Sequence, residues 1–239
     1  MVYLNQTDYP FELFSPAHLF MLGATFLLLC WMYLFRERIR RKYKRPFVIV
    51  LILLLVLSEV TFHLLFLWND CWDAAIHLPF QLSSISLYLC TFMLITKNYR
   101  LFEVSFFVSM TSASLAIVTP ELFYGFPHLR FFQFFSAHIA VILACFYMVW
   151  IERFRPTFRS VIRAFVSLNG IAVVVFSVNQ LLGSNYMFLA RKPSNASPMD
   201  YLGPYPWYLL SLEGIAFSLF TLIFFIVKWS EKRKNSLKQ

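Results

Sequence analysis

Residues 46–68 read PFVIVLILLLVLSEVTFHLLFLW. A helix needs about 20 mostly apolar residues to cross the hydrocarbon core of a bilayer. This run meets that length, with only Glu59 and His63 able to carry charge beyond its first residues. Six further windows of the same character lie at 16–35, 77–96, 101–120, 129–151, 160–183 and 205–228. The 239-residue chain is 59% hydrophobic and 14% charged, more apolar surface than a soluble domain of this size needs. The alternating pattern of a β-barrel is absent. Helices are the remaining way to satisfy backbone groups away from water. The expected fold is all-α: one domain over 1–239, a polytopic integral membrane bundle of seven transmembrane helices, ending in a basic tail from residue 229.

The net charge of +9 is distributed by loop. Arg36, Arg38, Arg40, Arg41, Lys42, Lys44 and Arg45 fill the first loop, Lys97 and Arg100 the third, and Arg153, Arg155, Arg159 and Arg163 the fifth. Lys228, Lys232, Arg233, Lys234 and Lys238 lie at the tail, leaving only Arg130, Arg191 and Lys192 elsewhere. The alternate loops hold Asp8, Glu12, Asp70, Asp73, Glu121 and Asp200. Lys and Arg collect on the cytoplasmic side of membrane proteins. The pattern predicts an outside N-terminus, a cytoplasmic C-terminus and a multi-pass protein of the cell membrane. Contact with anionic lipid accounts for the basic residues, and nucleic acid is not an expected partner.

The first 35 residues contain no Lys or Arg, so the basic region of a cleavable signal is missing. Ser15-Pro16 reads as a helix N-cap followed by proline at the first helical position, and this helix is expected to stay. Cys30, Cys90 and Cys145 fall within spans and Cys71 stands alone in a loop, which gives neither a disulfide framework nor a metal-binding CxxC. No Walker loop, GxGxxG or HExxH is present, and neither metal nor cofactor is expected. The last outer loop, GSNYMFLARKPSNASPMDYLGPYPWY, is long enough for a lid, a re-entrant segment or an ordered connector. Asn195-Ala196-Ser197 matches a glycosylation acceptor, followed by Pro198. Tyr205, Trp207 and Tyr208 look like an interfacial aromatic belt.

Polar side chains inside a membrane are costly, and each needs an account. Glu59 and His63 are four apart and share a helix face. His77, Gln81, Ser84 and Tyr88 follow helical spacing, with Ser83 and Ser86 on the flank. Gln133, Ser136 and His138 come early in their window, Asn169, Asn179 and Gln180 mark the sixth, and Ser211 and Glu213 the seventh. With helix directions alternating, five helices place ionisable or amide groups in the outer half, His138 and Glu213 about 10–15 Å deep at 1.5 Å per residue. The inference is a polar cavity open to the outer leaflet or the outside water. Each group also has a structural reading. Serines bond their own helix or glue helices together. Glu59–His63 reads as a buried pair, His18 and His77 as interfacial residues, and Asn169 as a packing residue. His138 is deep, and burial favours a neutral imidazole that acts as acceptor and base.

The stretches PFQLSSISLYL, LRFFQFFSAHIAVIL and NYMFLARKPSNASPMDYLGPYPWYLLSLEG resemble the YwaF-type bacterial integral membrane proteins, over Ser15 to Trp229. That family is distantly similar to an animal transmembrane acyltransferase that moves polyunsaturated acyl chains onto ether phospholipids. In outline it is also similar to intramembrane hydrolases of fatty-acid esters, which pair a hydroxyl nucleophile with a histidine. The resemblance implies His138 as the base and a nucleophile within QLSS, at Ser83 or Ser84. A cysteine is common in the family just after the leucine; Ser83 stands there, which points to an oxyester rather than a thioester. Glu213 or Glu59 would hold the imidazole tautomer. Gln81, Gln133 or Asn179 would donate to an oxyanion. Arg130 would grip a lipid phosphate, assisted by Arg191 and Lys192. The candidate lining is Glu59, His63, His77, Gln81, Arg130, Gln133, Asn169 and Asn179, and the expected partners are membrane lipids. Two other readings stand beside acyl transfer or ester hydrolysis. One is a transporter of a small polar solute or proton, with Glu59, His63, His138 and Glu213 as a relay. The other is a ligand-binding or accessory membrane subunit.

Overall fold

The computed structural model describes residues 9–193 and 198–236, with side chains for 9–193 and 199–230. Asp8, the Asn195–Ser197 acceptor and the basic side chains of Lys232, Arg233, Lys234 and Lys238 lie outside the described residues. The chain is all-helical: α1 (Pro16–Arg38), α2 (Lys44–Trp68), α3 (Ala74–His77), α4 (Leu82–Thr96), α5 (Tyr99–Val118), α6 (Leu129–Trp150), α7 (Phe158–Leu182) and α8 (Trp207–Ser236). As expected, Ser15 caps α1 with Pro16 at its first position.

Five helical runs are long and apolar enough to cross a membrane among the described residues: Pro16–Trp68, Tyr99–Val118, Leu129–Trp150, Phe158–Leu182 and Trp207–Ser230. Two features separate this from seven regular spans. The first two windows share one run, in which a π-helical segment at Ile39–Tyr43 joins α1 to α2. His18 packs 5.7 Å from Phe135 and Tyr33 5.1 Å from Trp150, so α1 runs along α6 in the same direction. Phe47 stacks on Tyr147, whereas Ser58 lies at Gln133, so α2 runs the opposite way. The π-helical segment therefore reverses the chain. The third window is broken. Proline lacks a backbone donor and pushes its predecessor out of the helical region. Leu78 accordingly takes ψ 152° before Pro79, and α3 stops. His77 and Gln81 thus do not share the helix of Ser84 and Tyr88. The 15 residues of α4 span about 22 Å at 1.5 Å per residue, short of a hydrocarbon core of about 30 Å.

At the centre lies α6, whose sides are covered by α1, α2, α4 and α5. Most of its residues are buried, from Phe131 to Val149. A helix that is apolar all round belongs in such a position. By contrast α2, α7 and α8 expose large apolar side chains, including Leu53, Leu57, Val60 and Leu64 along one stripe of α2. An outward stripe of this kind suits contact with lipid rather than water.

Basic residues of the first, third and fifth loops converge on one end of the bundle. There Glu152 accepts from Lys44 at 2.7 Å, Lys97 at 2.9 Å and the Tyr147 hydroxyl at 3.0 Å. Beside it Glu103, 1% exposed, accepts from Ser160 at 2.7 Å and Arg163 at 2.6 Å, tying α5 to α7. Glu103 is the one carboxylate between residues 101 and 120, one turn from Arg100.

The opposite end is closed by loops. His18 is fully buried: its Nδ1 accepts from Phe14 N and its Nε2 donates to Ile117 O at 2.8 Å, so it is a structural rivet rather than an interfacial residue. In the last loop Tyr186, also fully buried, donates to Ala74 O at 2.5 Å and accepts from Leu78 N at 2.9 Å. Tyr208 is buried and donates to Phe188 O, whereas Tyr205 and Trp207 are exposed. Only the latter two are placed to meet an interface.

Burial alone would raise the Glu152 carboxyl, but Lys44, Lys97 and Tyr147 outweigh it and hold it below the usual carboxylate value of 4.5. A depressed carboxyl stabilises the fold above its unfolded pKa, and this contribution is lost as pH falls through the folded value. The detergent-solubilised protein is therefore expected to lose stability as pH falls below about 4.5. In Glu152→Gln the thermal midpoint should be lower at neutral pH and its acid dependence shallower. Parallel wild-type and variant profiles would contradict the network.

Candidate functional site

Three helices meet the α3–α4 junction near the end of the bundle opposite the basic loops, and enclose a cavity of about 90 Å³. A cavity of roughly 10–15 Å³ holds one water on this measure, so the space suits a small polar group or part of a chain. Glu59 and Phe62 of α2, Leu78 and Gln81 of the junction, Ser83 and Ser84 of α4, and Arg130, Gln133 and His138 of α6 line it. The break at Pro79 matters here, because it places the start of α4 in the cavity wall. The Ser83 and Ser84 hydroxyls make no hydrogen bond among the described residues.

His138 is 6% exposed and packs its ring 4.2 Å from Phe134. Its Nδ1 lies 2.7 Å from the Phe134 carbonyl one turn earlier. A carbonyl oxygen can only accept, so Nδ1 carries the hydrogen and Nε2 keeps its lone pair. That Nε2 is buried and has no partner among the described residues. The contrast with His18, whose two nitrogens are both bonded, is direct. In His63, Nδ1 accepts from Trp72 Nε1 at 3.1 Å, and Nε2 lies 3.5 Å from Glu59 Oε1. Of these three rings, His138 is the one with a buried basic nitrogen left over.

A polar network fixes the ring's surroundings. Gln133 donates through Nε2 to Ser58 O at 2.9 Å, joining α6 to α2, and its Oε1 accepts from Arg130 Nη1. The Arg130 guanidinium is held between the Phe62 and Phe134 rings, 4.9 and 5.4 Å from their centroids. Cations over aromatic faces are attracted by the ring quadrupole. One guanidinium nitrogen is thus committed to Gln133, and Glu59 lines the same cavity. Glu59 is 8% exposed; its Oε1 makes no hydrogen bond, though His63 Nε2 stands 3.5 Å away.

Except for Gln81, the remaining sequence candidates are placed elsewhere. Glu213 of α8 accepts from Asn169 Nδ2 at 2.9 Å, and neither lines the cavity. Asn179 is buried at the end of α7, where it donates to Tyr186 O and accepts from Ser184 and from Tyr186 N. It clasps the last loop. His77 accepts at Nδ1 from Asp73 N at 2.9 Å within a nest of Phe62, Phe66 and Trp72. Gln81 lines the cavity and accepts at Oε1 from Met187 N, which ties the last loop to the start of α4. Sequence reasoning missed Trp72 and Tyr186. Both are aromatic residues in loops: Trp72 reaches back 9 residues to His63, and Tyr186 bonds Ala74 and Leu78 more than 100 residues earlier. Among the described residues no group of three His, Cys, Asp or Glu side chains is placed to hold a metal.

The family model of the TMEM164 family matches residues 13–224, while no curated protein and no solved structure matches the chain. The match covers both walls of the cavity and nearly all of the bundle. This apolar, multi-pass membrane protein belongs to the TMEM164 family.

Proposed function

We propose that the cavity is the site of an acyl-transfer or acyl-ester-hydrolysing reaction on membrane lipids, as the YwaF-type resemblance and its distant acyltransferase relationship suggest. One observation carries the reading: the half-buried Ser83 and Ser84, with unbonded hydroxyls, and the buried His138 imidazole, with its free Nε2, line the same cavity. A serine hydroxyl is a weak nucleophile until a base takes its proton. In this reading the Oγ of Ser83 or Ser84 attacks an ester carbonyl and His138 Nε2 accepts the proton. The tetrahedral intermediate then expels the alcohol, which His138 protonates. A second alcohol, or water, releases the acyl group by the same steps in reverse. The Phe134 carbonyl orients the ring, the role the third member of a triad performs elsewhere. Glu213 has no part, since Asn169 holds it on α7 and α8. Arg130, in its aromatic clamp, supplies the cation for a lipid phosphate.

The transport reading receives less support. A relay through Glu59, His63, His138 and Glu213 would need the last of these in the cavity. Beyond His138 toward the basic end, α4 and α6 pack Cys90, Met93, Ala144, Cys145 and Met148, all buried.

Seven crossings with the N-terminus outside follow in this proposal from the two opposed helices within Pro16–Trp68 and from α4, with the α3–α4 junction completing the short span. Cys71 is the exposed cysteine, in the loop after α2, and Cys90 and Cys145 are buried. A membrane-impermeant maleimide added to intact cells is expected to label Cys71 and to fail with Cys71→Ser. Labelling only after permeabilisation would place that loop inside.

Membranes from cells lacking the gene, complemented with wild type, Ser83→Ala, Ser84→Ala or His138→Ala, test the chemistry. Wild type is expected to restore a distinct lipid class. His138→Ala and one of the serine variants should lose that activity by at least about 100-fold at normal expression. Identical lipid profiles in all strains would exclude acyl chemistry on membrane lipids.

A further inference from the structure

Of the side-chain amides that could donate to an oxyanion, two are partly committed. Gln133 spends an amide hydrogen on Ser58 O and Asn179 one on Tyr186 O, the latter away from the cavity. A tetrahedral intermediate formed at Ser83 or Ser84 still needs donors where negative charge develops. The start of α4 offers them. The first N–H groups of a helix have no partner within it and point out of its N-terminal end, where the helix dipole favours negative charge. Side chains of Ser15, Asn98, His128 and Thr157 satisfy such groups on α1, α5, α6 and α7. Gln81, at the N-cap of α4, makes no such bond, because its Oε1 is turned to Met187 N. The N–H groups of Leu82, Ser83 and Ser84 make no hydrogen bond to the described residues; the next one, of Ile85, returns to Gln81 O at 3.0 Å.

A free helix end alone is not a site. Here a second group points to a ligand in the same space: His138, nine-tenths buried, with Nε2 unpartnered and its ring in the cavity wall. The residues that carry this basic nitrogen, the two hydroxyls and two of the free N–H groups thus line one cavity, next to where Pro79 interrupts the chain. Had the helix run unbroken from residue 77, those N–H groups would have been consumed by its own ladder.

We infer that the N-terminus of α4 is the oxyanion site of this cavity, with the backbone N–H groups of Ser83 and Ser84 as donors to the ester carbonyl oxygen. The inference rests on the serine-ester reading above. As Oγ bonds to the carbonyl carbon, the π pair moves to the oxygen and the hydroxyl proton moves to His138 Nε2. The N–H groups hold the resulting oxyanion until the pair returns and the alcohol leaves. The last loop takes part by keeping the Gln81 side chain away from the helix end.

The test occupies the donors without touching the serines. Gln81 has φ −69° and ψ 146°, the extended geometry of a capping residue. An asparagine there can accept from the second or third N–H of the helix, which are those of Ser83 and Ser84. Gln81→Ala loses the same contact to Met187 but leaves the donors free. The probe is a long-chain alkyl fluorophosphonate, in which a serine Oγ–P bond forms, P–F breaks, and the phosphoryl oxygen occupies the oxyanion position. Wild type in detergent is expected to be labelled at Ser83 or Ser84. Gln81→Asn should react about 100-fold more slowly than Gln81→Ala, with its melting temperature unchanged or raised. Equal rates for the alanine and asparagine variants overturn the oxyanion assignment. Failure of wild type to react at either serine overturns the serine-ester reading and this inference with it.

Discussion

A hydrogen-bonding group buried in a membrane protein has no bulk water to turn to, so it must find a partner in the protein or remain at a cost. That constraint organises this molecule. Glu103 is saturated by Ser160 and Arg163, Glu152 by two lysines and a tyrosine, and Asn179 by the loop it clasps. His18 has both nitrogens bonded. Against this background the few groups left over are informative. Glu59 Oε1, His138 Nε2, two serine hydroxyls and the first N–H groups of α4 all belong to residues at or beside one cavity. Ser86, Thr111 and Thr221 also leave hydroxyls unbonded, but these residues do not line it.

The cavity depends on how α6 is held. Gln133 pins it to α2, and the Arg130 clamp between Phe62 and Phe134 spans the same two helices. Because α1 and α2 run in opposite directions against α6, the central helix is braced along both sides. Opposite it, α4 begins late, after Pro79, with Tyr186 bridging Ala74 and Leu78 to hold the junction. Rigid placement of this kind is what a reactive constellation requires.

Much of the fold was legible. Window 46–68 became α2 at Lys44–Trp68, and 129–151 became α6 at Leu129–Trp150, because length and apolarity alone decide such helices. The proline in HLPFQLSS was visible, yet hydropathy runs straight across it; the break at 79 is a backbone effect that an apolar window does not register. Placing Ser83, Ser84, Gln81, Arg130, Gln133 and His138 at one end followed from helix direction and depth. Glu213 was at a suitable depth on the wrong helix: α8 packs on α5 and α7, and sequence carries no record of neighbour order. Asn179 misled for a similar reason, since its partners lie in a loop whose path no periodicity describes. The α4 donors were invisible because they are backbone, revealed only once the capping residue was seen to face elsewhere.

A serine nucleophile on α4 would carry the acyl group covalently between the two halves of the reaction. Peptide mass spectrometry of the purified protein, quenched in acid after brief incubation with phospholipid vesicles, tests it most directly. The account predicts an acyl adduct on the peptide containing Ser83 and Ser84, absent from His138→Ala. Full coverage of that peptide without an adduct in wild type, across ester donors of several chain lengths, would contradict it.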